Sequence, residues 1–324
     1  MVPNITLSIL IPTYRRSDCL KQCMQSIVDS KLCPFEVVVG DDGGDEETKK
    51  VCKSFADILP VIYLPPDSPK GSLPSNLSRL IVAGRGDWML LLHDDDFLTG
   101  DHSNYPAEFA NSCDFYFTDH WIADETGVVD ERKSKQNSLR YGRTELKEGL
   151  QHDVFDLAFN HRTCLDGFYA KSSFVKSILP DPLLGSTSDY FWVFRLLNSG
   201  MRVNYSNKRT FAYRISVLGI TSSGFDSERI LNGYMNLSKD FPEYNKMFNK
   251  KISNCTWYAI NQCLRKGQRQ KAWEYIRSIK FRYEHSIKHQ FLLIIQLLWL
   301  TLPSSLMNNL VGTIKNKKFK INIK

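Results

Sequence analysis

The sequence predicts an α/β fold in which a doubly wound, mostly parallel sheet is flanked by helices and followed by a C-terminal helical appendage. Short apolar runs at 7–11, 35–39, 61–64 and 88–92 alternate with segments of helical spacing. Near-continuous apolar strands are typical of a parallel sheet that is covered on both faces. From about residue 227 onward the apolar spacing is helical throughout, which predicts the appendage.

Helix signals lie between the predicted strands. Ser17 is placed to cap a helix that runs to about Ser30, and Ser72 to cap one that ends at Gly84. A further helix is expected at 48–55. The middle of the chain is less regular, and its expected elements are strands at 114–118, 201–205 and 210–215, helices at 154–160 and 188–198, a turn or hairpin at 126–130 and a loop at 141–150.

Length and composition limit the domain organisation and the class of protein. A chain of 324 residues predicts about two domains. The expected boundary separates a catalytic domain at 1–222 from a helical region at 223–324. Hydrophobic residues at 42% and charged residues at 24% exclude disordered and fibrous classes. The eight cysteines show no CxxC spacing, so we expect reduced thiols rather than a zinc or redox site.

The positive charge is concentrated at the C-terminus. The net charge is +7, and no acidic residue follows Glu284. A basic tail on a nearly neutral body fits an anionic membrane surface better than nucleic acid. The apolar run at 291–302 is too short to cross a hydrocarbon core of about 30 Å, so we expect it to lie in the membrane interface. A buried helix that mediates a homodimer is the alternative. The lysines of the tail are Lys288, Lys315, Lys317, Lys318, Lys320 and Lys324.

Localisation follows from the same tail. The N-terminus shows no basic segment followed by an apolar run and a cleavage site. We therefore expect a cytoplasmic protein that is peripheral on the inner face of the cytoplasmic membrane, with no nucleic-acid partner.

Polar clusters follow three of the predicted strands. They are Pro12-Thr13-Tyr14-Arg15, Asp41-Asp42-Gly43 and His93-Asp94-Asp95-Asp96. In open α/β sheets, ligands bind beyond the carboxyl ends of the strands. Adjacent carboxylates raise one another's pKa unless a cation neutralises them, and Mg²⁺ and Mn²⁺ often bridge carboxylates to phosphate oxygens. The pattern favours a metal and phosphate site over a solvated acidic turn.

Together these residues resemble glycosyltransferase family 2, which comprises inverting nucleotide-sugar transferases of the GT-A fold. The resemblance extends over about residues 5–215. It begins with the strand that ends in Pro-Thr-Tyr-Arg and continues with Asp-Asp-Gly after the second strand. The later matching segments are Gly71 to Asn76, Gly86 to Asp96 at the family's D-x-D motif, and the helix from Ser188-Asp189 to Arg195-Leu196.

The resemblance implies a role for each matching position. Asp189 would be the catalytic base, for which a plain helix N-cap is the alternative. Asp95 would hold Mn²⁺ or Mg²⁺, with His93 where the first Asp of D-x-D usually stands. Asp41 would bond to the base of the nucleotide. The full set expected to bind the nucleotide-sugar is Pro12, Thr13, Tyr14, Arg15, Asp41, Asp42, Asn76, Asp94 and Arg214.

The implied function is metal-dependent, inverting transfer of a sugar from a nucleotide-sugar donor, with UDP expected, to a lipid-linked or oligosaccharide acceptor. Synthesis of an O-antigen or capsule-type cell-surface polysaccharide would be its setting. Two alternatives stay open: a sugar nucleotidyltransferase, and a non-catalytic nucleotide-sugar-binding or membrane-scaffold protein. Asp166 is a weaker candidate for the acceptor pocket, where a turn is equally expected. Asp119 and Trp121 are weak candidates for contact with the donor sugar or acceptor.

Overall fold

The computed structural model describes residues 5–66, 71–215 and 226–278. The chain divides into two compact units, 1–224 and 225–324. The strands of the first unit are β1 (Leu7–Thr13), β2 (Glu36–Asp41), β3 (Val61–Leu64), β4 (Trp88–Leu91), β5 (Phe97–Leu98), β6 (Phe115–Ala123), β7 (Gly149–Gln151), β8 (Phe168–Lys171) and β9 (Val203–Arg214). Its helices are α1 (Ser17–Asp29), α2 (Glu46–Ser54), α3 (Leu73–Ala83), α4 (Glu131–Arg140), α5 (Val154–Phe159), α6 (Ser172–Ser177) and α7 (Ser188–Leu197).

The strands form one sheet in the order β3-β2-β1-β4-β8-β6-β9-β5, with β7 paired to β9. The strands β3, β2, β1 and β4 are parallel to their neighbours. β8 pairs antiparallel with both β4 and β6, whereas the long β6–β9 pair is again parallel. Most paired residues therefore lie in parallel pairs, and the predicted fold class is confirmed.

Burial explains why these segments form strands and helices. Every residue of β1, β2 and β4 is buried, as expected for central strands covered on both faces. The buried face of helix α1 contributes Leu20, Met24 and Ile27 to the core that also contains residues of these strands. Such spacing puts one face of a helix against the sheet. The strand order therefore fixes the carboxyl ends of β1, β2 and β4 side by side.

The second unit is helical where the structure describes it. Its helices are α8 (Ser227–Asp240), α9 (Asn245–Arg265) and α10 (Arg269–Arg277). A small core of α9 residues, among them Trp257 and Ile260, packs around Ala272 of α10. The predicted interfacial helix at 291–302 and the basic tail lie outside the described residues. Within 5–66, 71–215 and 226–278, no helix is long and apolar enough to cross a membrane.

Several local expectations differ from the structure, and β5, β8 and α6 were not predicted. Ser17 is the first residue of α1 and no side chain caps that helix. The two strands predicted near 201–215 are one strand, β9. It pairs with β6 on both sides of the polar residues 206–209, where the register shifts. The helix α4 was not predicted, since it buries only Ser134 and Ser138 and has no apolar stripe. The loop expected at 141–150 contains a 3-10 turn and the start of β7.

Candidate active site

The ends of β1 and β4 are joined by a direct side-chain contact. The hydroxyl of Thr13, the last residue of β1, donates to Oδ2 of Asp94 at 2.6 Å, although the two residues are 81 positions apart. Both side chains are buried. Two of the predicted nucleotide-sugar residues thus lie at one point on the sheet edge, where the parallel pairing of β1 and β4 brings their carboxyl ends together.

Arg16 lies between two carboxylates that follow β4. Nη2 of Arg16 is 2.5 Å from Oδ1 of Asp94, and Nη1 is 2.5 Å from Oδ2 of Asp95. Burial raises the pKa of Asp94 to about 6, and the guanidinium acts in the opposite direction. Sequence reasoning did not assign Arg16 a role. The sequence feature that could have indicated Arg16 is its position, three residues after the end of β1 and directly before α1.

The polar residues after β2 are engaged in shaping their own turn. Oδ1 of Asp41 accepts hydrogen bonds from the amides of Gly43 and Gly44, at 2.8 and 3.0 Å. Oδ2 of Asp41 accepts from the hydroxyl of Tyr63 at 2.8 Å, and the side chain is fully buried. These three bonds leave the carboxylate about one more acceptor site, on Oδ2. The predicted base contact stays a prediction.

Asp42 and Asn76 complete this side of the site. The amide of Ser72, just before α3, donates to Oδ2 of Asp42. Nδ2 of Asn76 donates to the carbonyl of Gly40 at 2.7 Å, and its Oδ1 accepts from Arg79 at 2.9 Å. Asn76 is buried. It therefore ties α3 to the end of β2, which is a structural role beside the predicted nucleotide contact.

The exposed part of this edge is the turn that follows β1. Tyr14 is 44% exposed and Arg15 is exposed, whereas Pro12 is buried within β1. A Cβ at Gly71 would approach the Tyr14 ring to 2.9 Å, so the segment before α3 runs close against that ring. Tyr14 and Arg15 are therefore the predicted donor-binding residues of this turn whose side chains are exposed to solvent.

A second carboxylate cluster lies beside the first. It consists of His93, Asp96 and Asp166, which offer one imidazole nitrogen and two carboxylate oxygens within 4.8 Å of one another. Asp96 and Asp166 are 1% and 3% exposed. Burial, and next the charge of Asp166, raise the pKa of Asp96 well above its ordinary value. Asp96 was an expected part of the acidic cluster, but sequence spacing gave no sign that Asp166 would meet it.

These three residues fit a divalent cation. Within the described part of the chain, Nε2 of His93, Oδ2 of Asp96 and Oδ2 of Asp166 are buried and have no hydrogen-bond partner. Carboxylate oxygens and an imidazole nitrogen are ordinary ligands of divalent transition metals. Of the two residues predicted to hold the metal, His93 belongs to this cluster. Asp95 is paired with Arg16, and its role as a metal ligand stays a prediction.

Asp189 reaches the same neighbourhood from α7. It is the second residue of that helix, and its Oδ1 accepts from the amide of Tyr190 at 2.7 Å. Burial raises the pKa of Asp189, while the nearby His93 opposes the rise and the charge of Asp166 adds to it. Asp189 is half-buried as a residue. Its neighbour Ser188 is fully buried.

Arg214 meets the acidic segment through its backbone. Its amide donates to Oδ1 of Asp96 at 2.7 Å. The guanidinium is 5.5 Å from the Phe97 ring centroid and donates to Gln22 at 2.7 Å. Arg214 is only 5% exposed. It lies next to the acidic cluster, as expected for a residue near a diphosphate, but a bound phosphate would reach it only after some of these contacts rearrange.

The weak candidates Asp119 and Trp121 belong to a separate buried network. Oδ1 of Asp119 is 2.8 Å from Nε of the buried Arg143, and Oδ2 is 3.2 Å from Nε of Arg209. The guanidinium of Arg209 is 4.7 Å from the centroid of a Trp121 ring. Burial would raise the pKa of Asp119, but a hydrogen bond from the Ser138 hydroxyl and the charge of Arg143 lower it. These partners give Asp119 a structural role that explains its burial without a substrate.

The comparisons with known proteins bear on this site. Residues 8–165 match the model of the family described as Glycosyl transferase family 2. The chain carries a glycosyltransferase family 2 domain. The matched segment contains the turn after β1, the Asp41 turn and the whole acidic segment after β4. It ends one residue before Asp166.

Relatives and solved structures agree with this assignment. The chain is 29% identical over 113 residues to the uncharacterized glycosyltransferase YwdF of Bacillus subtilis, an alignment that covers 35% of this chain and 41% of that one. It is 19% identical over 276 residues to the uncharacterized glycosyltransferase YibD of Escherichia coli, which covers 79% and 78% of the two chains. A crystal structure of S. aureus TarS 1–349 in complex with UDP-GlcNAc has a TM-score of 0.58 at 14% identity, over 91% of this chain and 80% of that one. At that identity the likeness supports the fold alone.

Proposed function

We propose that this chain is a metal-dependent, inverting glycosyltransferase that transfers a sugar from a UDP-sugar to the hydroxyl of a saccharide acceptor. The observation that carries the proposal is the buried acidic segment where β1 and β4 end, within residues that match glycosyltransferase family 2. His93 acts electrostatically on both Asp94 and Asp189, so Asp189 shares one neighbourhood with this segment.

Asp189 has the properties that a general base needs. Its raised pKa makes it a better proton acceptor than an exposed carboxylate, and it is the second residue of α7. In the proposed step, a carboxylate oxygen of Asp189 takes the proton of the acceptor hydroxyl. The acceptor oxygen forms a bond to the anomeric carbon, and the bond from that carbon to the phosphate oxygen breaks. The electron pair leaves with the nucleoside diphosphate, so one displacement inverts the configuration.

The donor is proposed to bind over the edge of β1 and β4. Tyr14 and Arg15 offer the exposed surface there, and Arg16 supplies a cation beside Asp94 and Asp95. Solved complexes of S. aureus TarS with UDP and with UDP-GlcNAc, described by those words, have the same fold. They support UDP as the nucleotide to test first.

A divalent cation, when bound, would neutralise the charge that develops on the leaving diphosphate. The residues of this chain that would hold it are the predicted ligands His93 and Asp95, or the buried cluster of His93, Asp96 and Asp166. The acidic segment His93–Asp96 is held in place by Thr13 and by the amide of Arg214, so its carboxylates are preorganised before any ligand arrives. Mn²⁺ or Mg²⁺ is the proposed ion.

The test is a donor screen with purified protein, Mn²⁺ or Mg²⁺, and UDP-, GDP- and dTDP-sugars, in which the released nucleoside diphosphate is measured with and without saccharide acceptors. Metal-dependent release from one donor is expected. The variant Asp189→Asn should reduce transfer by about 10²–10⁴-fold while UDP still binds, because only the proton acceptor is removed.

The matched control is Asp181→Asn. Asp181 caps the 3-10 turn that precedes α7, with its Oδ1 accepting from the amide of Leu183 at 2.9 Å. Asn is an equally good cap, so this variant should transfer sugar as the wild type does. Equal activity of both variants would contradict the role of Asp189.

We further propose that the acceptor is lipid-linked, or an oligosaccharide of a cell-surface polysaccharide, and that the chain works at the inner face of the cytoplasmic membrane. The support is the lysine-rich, acid-free sequence that follows Glu284. Flotation with liposomes that contain anionic lipid tests this. Deletion of residues 286–324 should release the protein, and unchanged binding would contradict the membrane proposal without affecting the proposed chemistry.

A non-catalytic nucleotide-sugar-binding protein is the second candidate. It is favoured by the two departures from the family pattern, His93 and Ser188. It predicts metal-dependent UDP binding with neither transfer nor slow donor hydrolysis in the same screen. The sugar nucleotidyltransferase alternative has lost its support, because the matched family transfers glycosyl groups.

A further inference from the structure

Three buried polar atoms at the edge of the sheet converge without partners. They are Nε2 of His93, Oδ2 of Asp96 and Oδ2 of Asp166, and each of these residues offers a ligand atom within 4.8 Å of a ligand atom of the other two. Buried polar atoms in native proteins nearly always have a hydrogen-bond partner. Three that converge on one point therefore indicate a missing shared partner rather than three separate defects.

The charges of the cluster limit that partner to a proton shared between Asp96 and Asp166, which fits the raised pKa of Asp96, or to a cation that also reaches His93. Asp96 and Asp166 are both almost completely buried, and like charges in a medium of low dielectric repel strongly. Within the described residues no Lys or Arg side chain pairs with either carboxylate. The guanidinium of Arg16 is engaged with Asp94 and Asp95, and Arg214 offers Asp96 only its amide. A small cation satisfies all three atoms at once.

We propose that His93, Asp96 and Asp166 hold the divalent cation, and that Asp95 remains with Arg16 instead of ligating the metal. This inference rests on the proposed function, since it locates the ion for that reaction. Ligands about 2.0–2.2 Å from a metal lie up to about 4.4 Å apart, so the observed separations need little contraction. Two carboxylates and one imidazole favour Mn²⁺ over Mg²⁺, which prefers oxygen ligands.

The three ligands are held by different elements, which makes the site rigid. Asp96 is fixed by the amide of Arg214 on its other oxygen. Asp166 is fixed through Gly167, whose amide donates to the carbonyl of Leu91 at 2.8 Å. Gly167 has a φ of +66°, and a Cβ there would lie 2.5 Å from the Phe211 ring. Asp166, two residues before β8, is thus anchored on the last residue of β4.

The experiment measures Mn²⁺ binding to the purified full chain by the EPR signal of free Mn²⁺, with and without UDP. The variant Asp166→Asn should weaken Mn²⁺ binding by at least about tenfold. Asp95→Asn should change it by less than about threefold, because Asp95 lies outside the proposed ligand set. The reverse order, or wild-type protein that binds no Mn²⁺ at millimolar concentration, would overturn the proposal.

A second variant tests the site without removing a buried carboxylate. His93 is only partly buried, and His93→Asp converts the ligands to an all-oxygen set. The ratio of Mn²⁺ to Mg²⁺ affinity should fall by about tenfold in this variant. An unchanged ratio would contradict ligation by His93. Thermal unfolding serves as the check on folding: Mn²⁺ should raise the midpoint of the wild type and leave that of Asp166→Asn unchanged.

These outcomes are distinct from failure of the proposed function. A protein that binds Mn²⁺ through Asp166 but transfers no sugar would refute the function and leave the metal site standing. Transfer that requires Asp189 but is unaffected by Asp166→Asn, together with unchanged Mn²⁺ binding in that variant, would keep the function and overturn this site.

Discussion

Nη1 of Arg16 lies 2.5 Å from Oδ2 of Asp95, at the edge where β1 and β4 end. The same guanidinium is 2.5 Å from the fully buried Asp94. One cation from the start of α1 therefore compensates two carboxylates that are 78 and 79 positions away in sequence (94 − 16 and 95 − 16). The donor half of the site depends on this residue before any ligand binds.

Arg16→Ala should lower the free energy of unfolding by about 1–3 kcal/mol near neutral pH, because it leaves the buried Asp94 without its counter-charge. Urea denaturation measures the change. The neighbouring Arg15, an exposed residue of the same turn, provides the control, and Arg15→Ala should change stability by less than about 0.5 kcal/mol. Equal losses in both variants would show that the turn, and not the ion pair, is responsible.

His120 should make the protein sensitive to acid. Burial, and next the charge of Arg143, lower the pKa of His120 to about 3, and its Nδ1 lies 3.0 Å from Sγ of Cys164. An unfolded histidine has a pKa of about 6.5, so the unfolded state binds more protons between these values. The stability that neutral His120 contributes is therefore complete above about pH 6.5 and is lost as the pH falls toward 3.

We expect this histidine to cost about 2 kcal/mol of unfolding free energy between pH 7.5 and pH 5. His102, whose pKa is also lowered by burial, acts in the same direction. Urea denaturation at the two pH values should show a smaller difference in His120→Gln than in the wild type. The exposed His152→Gln should keep the full wild-type difference. An undiminished difference in His120→Gln would assign the acid sensitivity to other groups.

Gly167→Ala should lower the free energy of unfolding by far more than the backbone strain of a left-handed alanine would cost by itself. Its φ is +66°, and the added Cβ would meet the buried Phe211 ring at 2.5 Å. Gly100 has a φ of +82° with no atom within 4 Å of a built Cβ, so Gly100→Ala isolates the strain. We expect about 1 kcal/mol for Gly100→Ala and at least about 3 kcal/mol for Gly167→Ala, measured by denaturant unfolding. Similar costs would mean that Phe211 moves freely.

Asp41→Asn separates a structural role from a nucleotide-binding role. The carboxylate accepts hydrogen bonds from two amides and the Tyr63 hydroxyl, so an amide group there should cost about 1–3 kcal/mol of unfolding free energy. If Asp41 also binds the base, the affinity for UDP should fall in calorimetry under conditions where the variant is folded. The control is Asp45→Asn at the N-cap of α2, which should be nearly neutral in both measurements.

The sequence reveals those features that depend on neighbours along the chain. The strands β1 to β4 are apolar runs, and the polar clusters that follow them mark the edge of the sheet. The sequence could not predict that Asp166 lies beside the acidic segment. That proximity depends on the antiparallel pairing of β8 with β4, which places Gly167 against Leu91. The ion pairs of Arg16 could not be predicted for the same reason, because its partners are brought to it by the register of β1 on β4.

Helix α4 and strand β9 show the limits of periodicity. The segment of α4 is so polar that its one sequence mark is Asp130, whose side chain accepts from the amide of Lys133. The polar residues near Asn207 looked like a break between two strands, yet pairing with β6 continues on both sides of it. In both cases tertiary contacts determined an element that local hydrophobicity did not indicate.

The antiparallel β4–β8 pair divides the site into two contiguous stretches of chain. Apart from Arg214, every predicted donor residue precedes β8, whereas the proposed base Asp189 follows it. The family match ends at residue 165, immediately before this division. The division is not a seam, because β8 also pairs with β6, and β9 pairs with β5, β6 and β7. The two stretches are interleaved in one sheet, so any replacement of the segment that carries Asp189 would have to preserve the register of all these strand pairs.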